Sequence, residues 1–470
     1  MVGRVIGFFC IAILLWYTLQ LGLVRYFDAD ELAYLHWAHN VFIGSRPYYD
    51  FYFYVPSGFL YVLAPLFIFV QGADILTVSR IFAFVVQVGI VVSLIAVYKR
   101  WRGSWFGLLA AIVFLFLPLP KDKFLEVRPD NLVMFVGLIA MICQIGWMEK
   151  NTKNLAFWAG IYYGLSLIIL PKIMPQIIVA CLVALFFRRH LGTFVIGLVV
   201  PLVGFFLFQV GIAKNMGEIS TLWYSLTTLP FEVNKIAQQF PMQPDLFFYP
   251  NSTYYGVGGW SLGLIANHGI WIIGLLMGSV GLVTSYRPKD FLISGTMFLY
   301  ILTFMYGYPL RHAQYLIPIA VFVSLYVADG VEHVWNHVKA HAIYRGLFLG
   351  LCVVSVFFGW RIFLTVHVPK LSWTNAEDRR IITKSQSLIS KNAYVLDLIG
   401  ATIYFRDPYY VCCLPYGQHV PYLSRPLPVF DASLVGKDVK FYYEGRLNRL
   451  RTIPSSAQEY IHYHGIVKLE

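Results

Sequence analysis

Three carboxylates lie within four positions in the segment Asp28-Ala-Asp30-Glu31, which directly follows an apolar run. A carboxylate beside a membrane helix is costly unless another group pairs with it or uses it. Asp28 or Asp30 can cap the helix predicted over 32–43, because an acidic side chain satisfies free N–H groups at a helix start. Three acids exceed what a cap needs, so the segment also contains candidates for acid–base chemistry.

A further acid follows a proline at the start of a later apolar run, in Arg128-Pro129-Asp130. Proline at the first helical position and an acid in the first turn both favour a helix start. A helix start alone indicates little about chemistry. The motif gains weight because it is predicted to face the same side of the membrane as Asp30.

Two cations, Lys172 and Arg311, stand in short turns between apolar runs. Snorkelling of the long side chain to the membrane interface is the ordinary explanation for such residues. Both cations, however, lie on the side of the membrane that the other basic clusters avoid. This position predicts that they bind an anion.

The segment 44–56 is rich in tyrosine and phenylalanine and is punctuated by prolines. An aromatic belt that anchors a rigid loop at the membrane interface explains most of these tyrosines, and Arg46 and Asp50 remain available for polar contacts. The candidate contacts to a substrate or acceptor in the first outer segment are Asp28, Tyr34, Arg46, Tyr48 and Asp50.

A bundle of membrane-spanning helices must position these residues. Hydrophobic residues make up 58% of the 470 and charged residues only 13%, and the mean hydropathy is +0.65. A span needs about 20 mostly apolar residues to cross about 30 Å of hydrocarbon. Eleven spans are predicted, near 5–23, 78–98, 104–120, 131–148, 155–170, 173–187, 191–213, 262–285, 290–306, 313–329 and 346–365.

The stretch Ser57 to Val70 is also apolar, but it is short and contains Pro65. If it does not cross, the basic clusters between the spans all fall on one side, as the positive-inside rule expects. The opposite side then receives 25–77, 121–130, the Lys172 turn, 214–260, 306–312 and the tail after His367.

The sequence predicts an all-α transmembrane bundle over 1–365, with helices beside the membrane in its first outer loop. The first outer loop (25–77) carries the acids, and a large outer loop covers 214–260. The tail, 366–470, mixes charges with β-prone runs and predicts a small extracytoplasmic α+β domain. Those runs are 393–398, 409–414 and 439–443.

The net charge of +12 does not indicate nucleic acid, because the basic residues fall in short clusters without a continuous basic face. The cysteines show no zinc spacing and no disulfide framework. Cys412 and Cys413 lie in the tail, where adjacent cysteines rarely pair with each other.

This arrangement resembles the membrane glycosyltransferases of the GT-C class, in the branch that contains protein O-mannosyltransferases and the aminoarabinose transferases that modify lipid A. Each signature is short, so their order and shared sidedness carry the resemblance. The four signatures are Asp30-Glu31 with Tyr34, Arg128-Pro129-Asp130 opening a span, the Lys172 turn, and Arg311 to Pro318 before the tenth span.

The resemblance implies that Asp30 matches the acid that activates the acceptor hydroxyl, with Asp130 on the same face of the cavity. It also implies that Lys172 and Arg311 lie near the carrier phosphate. Several relatives have a His-Pro-Pro or Glu-Lys-Pro element where this chain has Tyr54-Val55-Pro56, so the chain departs from the family's pattern at one expected phosphate contact.

Transfer of a sugar from a phosphate-linked carrier requires a base that deprotonates the acceptor hydroxyl. It also requires positive charge that stabilises the departing phosphate. Asp30 can act as the base, in a catalytic group with Glu31 and Asp130. Lys172 and Arg311, with Arg80 or Arg128, can stabilise the phosphate oxygens. A single displacement would invert the anomeric configuration, unlike the two-carboxylate covalent route.

The function predicted from sequence is therefore transfer of a sugar from a polyprenyl-phosphate carrier to a lipid, glycan or protein acceptor. A lipid or sugar transporter or flippase is the alternative, although transporters usually show inverted repeats and charges near the midplane. A membrane scaffold whose tail recruits partners is a third class. The acids could hold Mg²⁺ or Mn²⁺, yet relatives that use monosaccharide carriers generally work without one. The expected partners are the donor, the acceptor and membrane lipids, and the expected location is a prokaryotic cell membrane with the site facing outside.

Overall fold

The computed structural model describes residues 2–117, 121–238, 262–284, 287–307, 313–413, 420–437, 439–445 and 449–469. Apolar helices follow one another through the first 362 residues. They are α1 (Val2–Val24), α2 (Ala29–Phe42), α3 (Gly58–Leu63), α4 (Leu66–Phe69), α5 (Asp74–Arg102), α6 (Gly107–Phe116), α7 (Pro129–Lys150), α8 (Lys153–Ile169), α9 (Met174–Phe187), α10 (Leu191–Gly211), α11 (Met216–Thr227), α12 (Leu229–Gln238), α13 (Leu262–Val283), α14 (Pro288–Leu302), α15 (Ile317–Val338) and α16 (Ala342–Ile362).

Each of the eleven predicted spans coincides with one of these helices, so the predicted helical bundle is confirmed. Among the residues that the structure describes in full, seven helices are long and apolar enough to cross a membrane. The protein is therefore an integral membrane protein. The stretch 57–70 forms the two short helices α3 and α4, with Pro65 at the N-cap of α4.

Close backbone contact joins α8 to α10. A β-carbon on Gly160 would lie 2.2 Å from the carbonyl oxygen of Phe194, and one on Gly197 would lie 2.3 Å from that of Phe157. Glycines spaced to let two membrane helices touch in this way are a common packing device, because no hydrophobic effect drives association within lipid. The pair holds the Lys172 turn, which follows α8, at a fixed position.

The tail begins with α17 (Ala376–Leu388) and contains a three-stranded parallel sheet of β1 (Tyr394–Asp397), β2 (Val439–Tyr443) and β3 (Val467–Lys468), in that order. Two short helices, α18 (Phe430–Leu434) and α19 (Ser455–Tyr463), provide the crossovers that parallel strands need. The predicted small α+β tail is therefore confirmed.

Two expectations about the tail were wrong. Residues 409–413 have no regular secondary structure, although their composition favours a strand. Cys412 and Cys413 are joined by a disulfide, against the expectation that these neighbours stay unpaired. Cys413 has a positive φ of 71°, so the chain turns sharply where the two sulfurs meet.

The tail packs on the first outer segment through α2. The backbone N–H of Phe27 donates to Asp378 (2.9 Å), and that of Tyr52 donates to the carbonyl of Tyr410 (2.8 Å). Gly400, at φ +81°, has no room for a side chain because the backbone of Ala33 would lie 3.0 Å from its β-carbon. These contacts make the tail part of the surroundings of α2.

A buried pair, His36 and Asp407, sits at the centre of this contact. The ring Nε2 of His36 lies 2.5 Å from the carboxylate of Asp407, and Nδ1 lies 3.0 Å from the carbonyl of Ile403. Burial lowers the pKa of His36, but the charge of Asp407 and its hydrogen bond outweigh burial and raise that pKa. Burial likewise raises the pKa of Asp407 against the opposing effect of His36.

We therefore expect the tail to bind α2 less tightly as the pH rises above the unfolded histidine pKa of about 6.5. Both pKa values are raised on folding, so the folded chain holds these protons to a higher pH than the unfolded chain does. The stabilisation is complete below the unfolded histidine pKa of about 6.5 and is lost as the pH rises through the raised value. Hydrogen exchange over 403–407 should speed up with this pH dependence, beyond the intrinsic pH dependence of exchange. His36→Gln should remove the pH dependence, and a pH-independent protection factor in the wild type would contradict the prediction.

Candidate active site

The candidate site begins at the first turn of α2, which Asp28 caps. The Asp28 carboxylate accepts from the N–H of Asp30 (3.1 Å), and the Glu31 carboxylate accepts from the N–H of Asp28 (3.0 Å). This reciprocal arrangement is a capping box. The cap foreseen as one explanation for these acids is therefore present, and it occupies Asp28 and Glu31.

Glu31 is enclosed by partners. Its carboxylate accepts from Arg25 (3.3 Å), Arg80 (2.9 Å) and the backbone N–H of Val127 (2.7 Å). Glu31 is 0% exposed and Arg80 is 1% exposed, and Arg80 also donates to the carbonyls of Leu125 and Tyr26. The two residues tie α2 to α5 and to the turn before α7, and neither side chain reaches solvent.

Arg128 forms ion pairs with the other three acids of this cluster. One of its terminal nitrogens lies 2.9 Å from Asp28 and 2.6 Å from Asp30, and its Nε lies 2.9 Å from Glu126. Burial raises the pKa of Asp28, but Arg128 and Lys123 outweigh burial and hold that pKa below its usual range. The ion pairs join equal numbers of bases and acids, namely Arg25, Arg80, Lys123 and Arg128 with Asp28, Asp30, Glu31 and Glu126.

Asp30 is the accessible acid of this cluster. Its side chain is 54% exposed, compared with 33% for Asp28 and 0% for Glu31 and Glu126. Its contact with Arg128 fixes one carboxylate oxygen. Arg128 thus orients the carboxylate, while much of the side chain stays exposed to solvent. A general base needs this access, because the acceptor hydroxyl must come within hydrogen-bonding distance.

Asp130 and Lys172 form a second pair. The ammonium of Lys172 lies 3.1 Å from the Asp130 carboxylate and 3.8 Å from the centre of the Tyr315 ring. Asp130 is in the first turn of α7, and Lys172 is in the turn Pro171–Ile173 between α8 and α9. Lys172 keeps 29% of its side chain exposed, so a ligand can still reach it.

Tyr34 and Tyr54 lie close enough to both pairs for the charges of those pairs to affect their pKa values. Burial raises the pKa of Tyr54, and so does the nearby charge of Asp30, while Lys172 and Arg128 act in the opposite direction. Burial also raises the pKa of Tyr34, together with Tyr54, Asp30 and Asp130. The structure therefore brings Asp30, Asp130, Arg128 and Lys172 around two protonated tyrosines.

Arg46, Tyr48 and Asp50 form a different cluster. Arg46 binds the carboxylates of Asp50 (2.8 Å) and Glu218 (2.8 Å), and fully buried Tyr48 donates to the carbonyl of Val55. These bonds tie the loop before α3 to α11. Glu218 was not identified from sequence, because an isolated acid in a long loop gives no signal of its partner.

The tail places one further cation near Asp30. Arg449 is 8% exposed and donates to the carbonyls of Leu398 (3.0 Å) and Cys413 (2.6 Å). Burial lowers the pKa of Arg449, and the charges of Asp30, Asp397 and Asp28 oppose that effect. Arg449 was not identified from the sequence, because its position relative to Asp30 depends on how the tail packs.

Two predicted parts of the site lie outside the described residues. They are Arg311, with the turn that contains it, and the part of the large outer loop from 239 to 260.

Among the described residues, one set of three potential metal ligands converges, namely His36, Cys412 and Cys413. The two cysteines are bonded to each other, and both ring nitrogens of His36 have partners, so this set does not fit a metal. The acids proposed for Mg²⁺ or Mn²⁺ are paired with protein cations instead: Asp30 with Arg128, and Asp130 with Lys172.

The fold is similar to those of two kinds of transferase. The structure of ArnT from Cupriavidus metallidurans bound to undecaprenyl phosphate superimposes with a TM-score of 0.58 at 12% identity, over 87% of this chain and 86% of that one. The apo state of the same protein gives a TM-score of 0.53 at 14% identity, over 86% and 85%. The predicted GT-C fold is therefore confirmed.

The Archaeoglobus fulgidus oligosaccharyltransferase, in complex with zinc and sulfate, gives a TM-score of 0.52 at 12% identity over 85% of this chain. This chain spans 62% of that protein's length. No protein-family model matches the chain, and no curated protein sequence matches it.

Proposed function

We propose that this protein transfers a sugar from a polyprenyl-phosphate carrier to an acceptor hydroxyl at the extracytoplasmic face of a prokaryotic cell membrane, with inversion. The observation that carries the proposal is Asp30, an exposed carboxylate held by Arg128, whose charge acts on the same tyrosine, Tyr54, as the charge of Lys172. The shared fold with a transferase whose structure contains undecaprenyl phosphate supports it.

In this reaction the acceptor oxygen forms a bond to the anomeric carbon while its proton passes to Asp30. The bond from the anomeric carbon to the carrier phosphate breaks, and its electron pair leaves with the phosphate. Lys172 and Arg311 stabilise the charge that gathers there, as positively charged donors do for a leaving oxyanion. Attack by the acceptor oxygen on the face of the anomeric carbon opposite the departing phosphate, in one displacement, would invert that centre.

The other predicted site residues take supporting roles in this proposal. Glu31 and Arg80 are enclosed, which does not fit direct contact with substrate, so we assign them to holding α2 in place. Arg128 orients Asp30 and neutralises the acids beneath it. Asp130 orients Lys172 through their 3.1 Å contact.

The tyrosines and the outer loop complete the proposed site. Tyr34 and Tyr54 remain protonated and offer hydroxyl groups to the sugar or the phosphate, and Tyr54 stands where several relatives carry another phosphate contact. Arg46, Tyr48 and Asp50 shape the loop that faces the acceptor.

The direct test is transfer in proteoliposomes from a panel of radiolabelled polyprenyl-phosphate sugars to extracted membrane lipids, glycans and peptides. Label transfer from one donor supports the proposal. An NMR assignment of the product's anomeric configuration then tests inversion. Substrate uptake into the vesicles without transfer from any donor would overturn the proposal in favour of a transporter.

Lys172→Gln is expected to lower kcat/KM for the donor by a factor on the order of 10², because loss of one charge-stabilising donor typically has an effect of that size. Lys172→Arg should recover part of the loss, since it restores the positive charge beside Asp130. Initial rates against donor concentration measure both changes. Lys153→Gln, at the start of α8, is the control, and an equal loss in that variant would rule out a specific role for Lys172.

A further inference from the structure

A cavity of about 670 Å³ lies between the C-terminal end of α2, the turn around α4 and the tail. It is separate from the site of Asp30. His39, which lines the cavity, is nine residues further along α2 than Asp30, and nine residues of α-helix span about 13 Å. A single phosphate group cannot contact both places, so any ligand of this cavity is additional to the proposed donor.

The charge around the cavity is positive. Lys391 and Arg406 line it and are exposed, and no acidic side chain occurs among the described residues of its wall. Neither cation has a salt bridge in the part of the chain that the structure describes. The carboxylate of Asp407, which follows Arg406 in the chain, is paired with His36. Two cations without a salt bridge among the described residues therefore face an open volume.

The wall also contains a buried polar group with an unused nitrogen. His39 is 8% exposed, and its Nδ1 has no hydrogen-bond partner among the described residues. Its ring packs edge-on against Phe67 (5.1 Å) and Tyr404 (5.0 Å). Burial, His36 and Arg406 lower the pKa of His39 to about 4, so the ring is neutral at physiological pH. The neutral ring adds no charge to the wall and its Nδ1 is buried, so the groups that can meet an anion in the cavity are Lys391 and Arg406.

The rim of the cavity on the side of α4 is apolar. Phe42 and Ile43 end α2 with 44% and 37% exposure, and Ile68 and Phe69 of α4 are 67% and 75% exposed. The short helix α4 follows Pro65 and lies next to the spans, where exposed aliphatic and aromatic side chains meet acyl chains. The cavity thus has a cationic inner wall and an outer edge suited to hydrocarbon.

We propose that this cavity binds the phosphate headgroup of an anionic membrane lipid, with the acyl chains lying over Phe42 and α4. Arg406 can bind two phosphate oxygens at once, and Lys391 adds a point charge. Because the walls come from α2, the turn at α4 and the tail, the bound lipid joins the tail to the membrane surface. The proposal is independent of the transfer reaction.

The test uses the purified full-length chain and native mass spectrometry, with dioleoylphosphatidylglycerol and dioleoylphosphatidylcholine as probes. The wild type should retain phosphatidylglycerol in preference to phosphatidylcholine. The double variant Lys391→Gln/Arg406→Gln should bind phosphatidylglycerol about tenfold more weakly, since each basic residue contributes substantially at an anionic membrane surface. Asp30→Asn should bind it as the wild type does, which separates this site from the transfer site.

A matched control variant removes two positive charges from the tail, as the test variant does. Lys384→Gln/Arg451→Gln alters two basic residues that do not line the cavity, and it should leave phosphatidylglycerol binding unchanged. Equal retention of the two lipids would overturn the proposal. So would an equal loss in the control pair, or full displacement of the lipid by millimolar inorganic phosphate, which would indicate a site for the free anion.

Discussion

Replacing Asp30 with asparagine is expected to lower the transfer rate by about 10²- to 10⁴-fold, the range that a positioned general base typically contributes. The change keeps the shape of the side chain and its ability to bond to Arg128, but it removes the proton acceptor. Because the side chain is 54% exposed, its stability cost should resemble that of an exposed ion pair, below about 1 kcal/mol. Single-turnover transfer in proteoliposomes, with carrier binding measured in parallel, separates the chemistry from binding.

Asp74→Asn provides the matched control. Asp74 also lies in the first turn of a helix, pairs with an arginine (Arg379, 2.9 Å) and is well exposed at 69%. Its replacement should leave the rate within twofold of the wild type. A transfer rate in Asp30→Asn equal to that of Asp74→Asn would show that another group accepts the proton.

Replacing Glu31 with glutamine is expected to destabilise the folded protein by about 3–5 kcal/mol, the usual cost of removing one partner from a buried charge pair. Arg25 and Arg80 would keep their charges in an enclosed setting with less to balance them. The yield of folded protein and the midpoint of thermal unfolding in detergent should both fall. The effect is expected on stability first, and on transfer only as folded protein is lost.

Glu377→Gln is the control for that prediction. Glu377 forms an exposed pair with Arg380 on α17 (2.8 Å, 41% and 54% exposed), and such pairs contribute less than about 1 kcal/mol. If Glu31→Gln unfolds at the temperature of Glu377→Gln but loses transfer, Glu31 takes part in the reaction and the structural assignment is wrong.

The bundle was predictable because its signals are local. Twenty apolar residues in a row, a basic cluster at one end and a proline before an acid each require only a short window of sequence. The choice that 57–70 does not cross followed from the charges of the later loops. The structure has two short helices in that stretch, on either side of Ala64 and Pro65.

The site was predictable only in part because burial depends on distant elements. The sequence placed Asp28, Asp30 and Glu31 together, yet it could not show that Glu31 meets Arg80, 49 residues away. The sequence also could not show that Arg449 lies near Asp30, because that position depends on how the tail packs. The roles of the site residues and the division of the chain at residue 365 stay predictions.

The packing of the tail on α2 also affects the order in which the protein is completed during synthesis. The bonds Phe27 to Asp378 and His36 to Asp407 join residues 351 and 371 positions apart, so α2 leaves the ribosome long before its partners do. Until the last span is inserted and the tail is synthesised, His36 and the backbone of Phe27 lack these partners. The surroundings of α2 are therefore completed late, after the membrane helices have been synthesised, and chains interrupted before residue 378 would carry α2 without the tail that packs beside it.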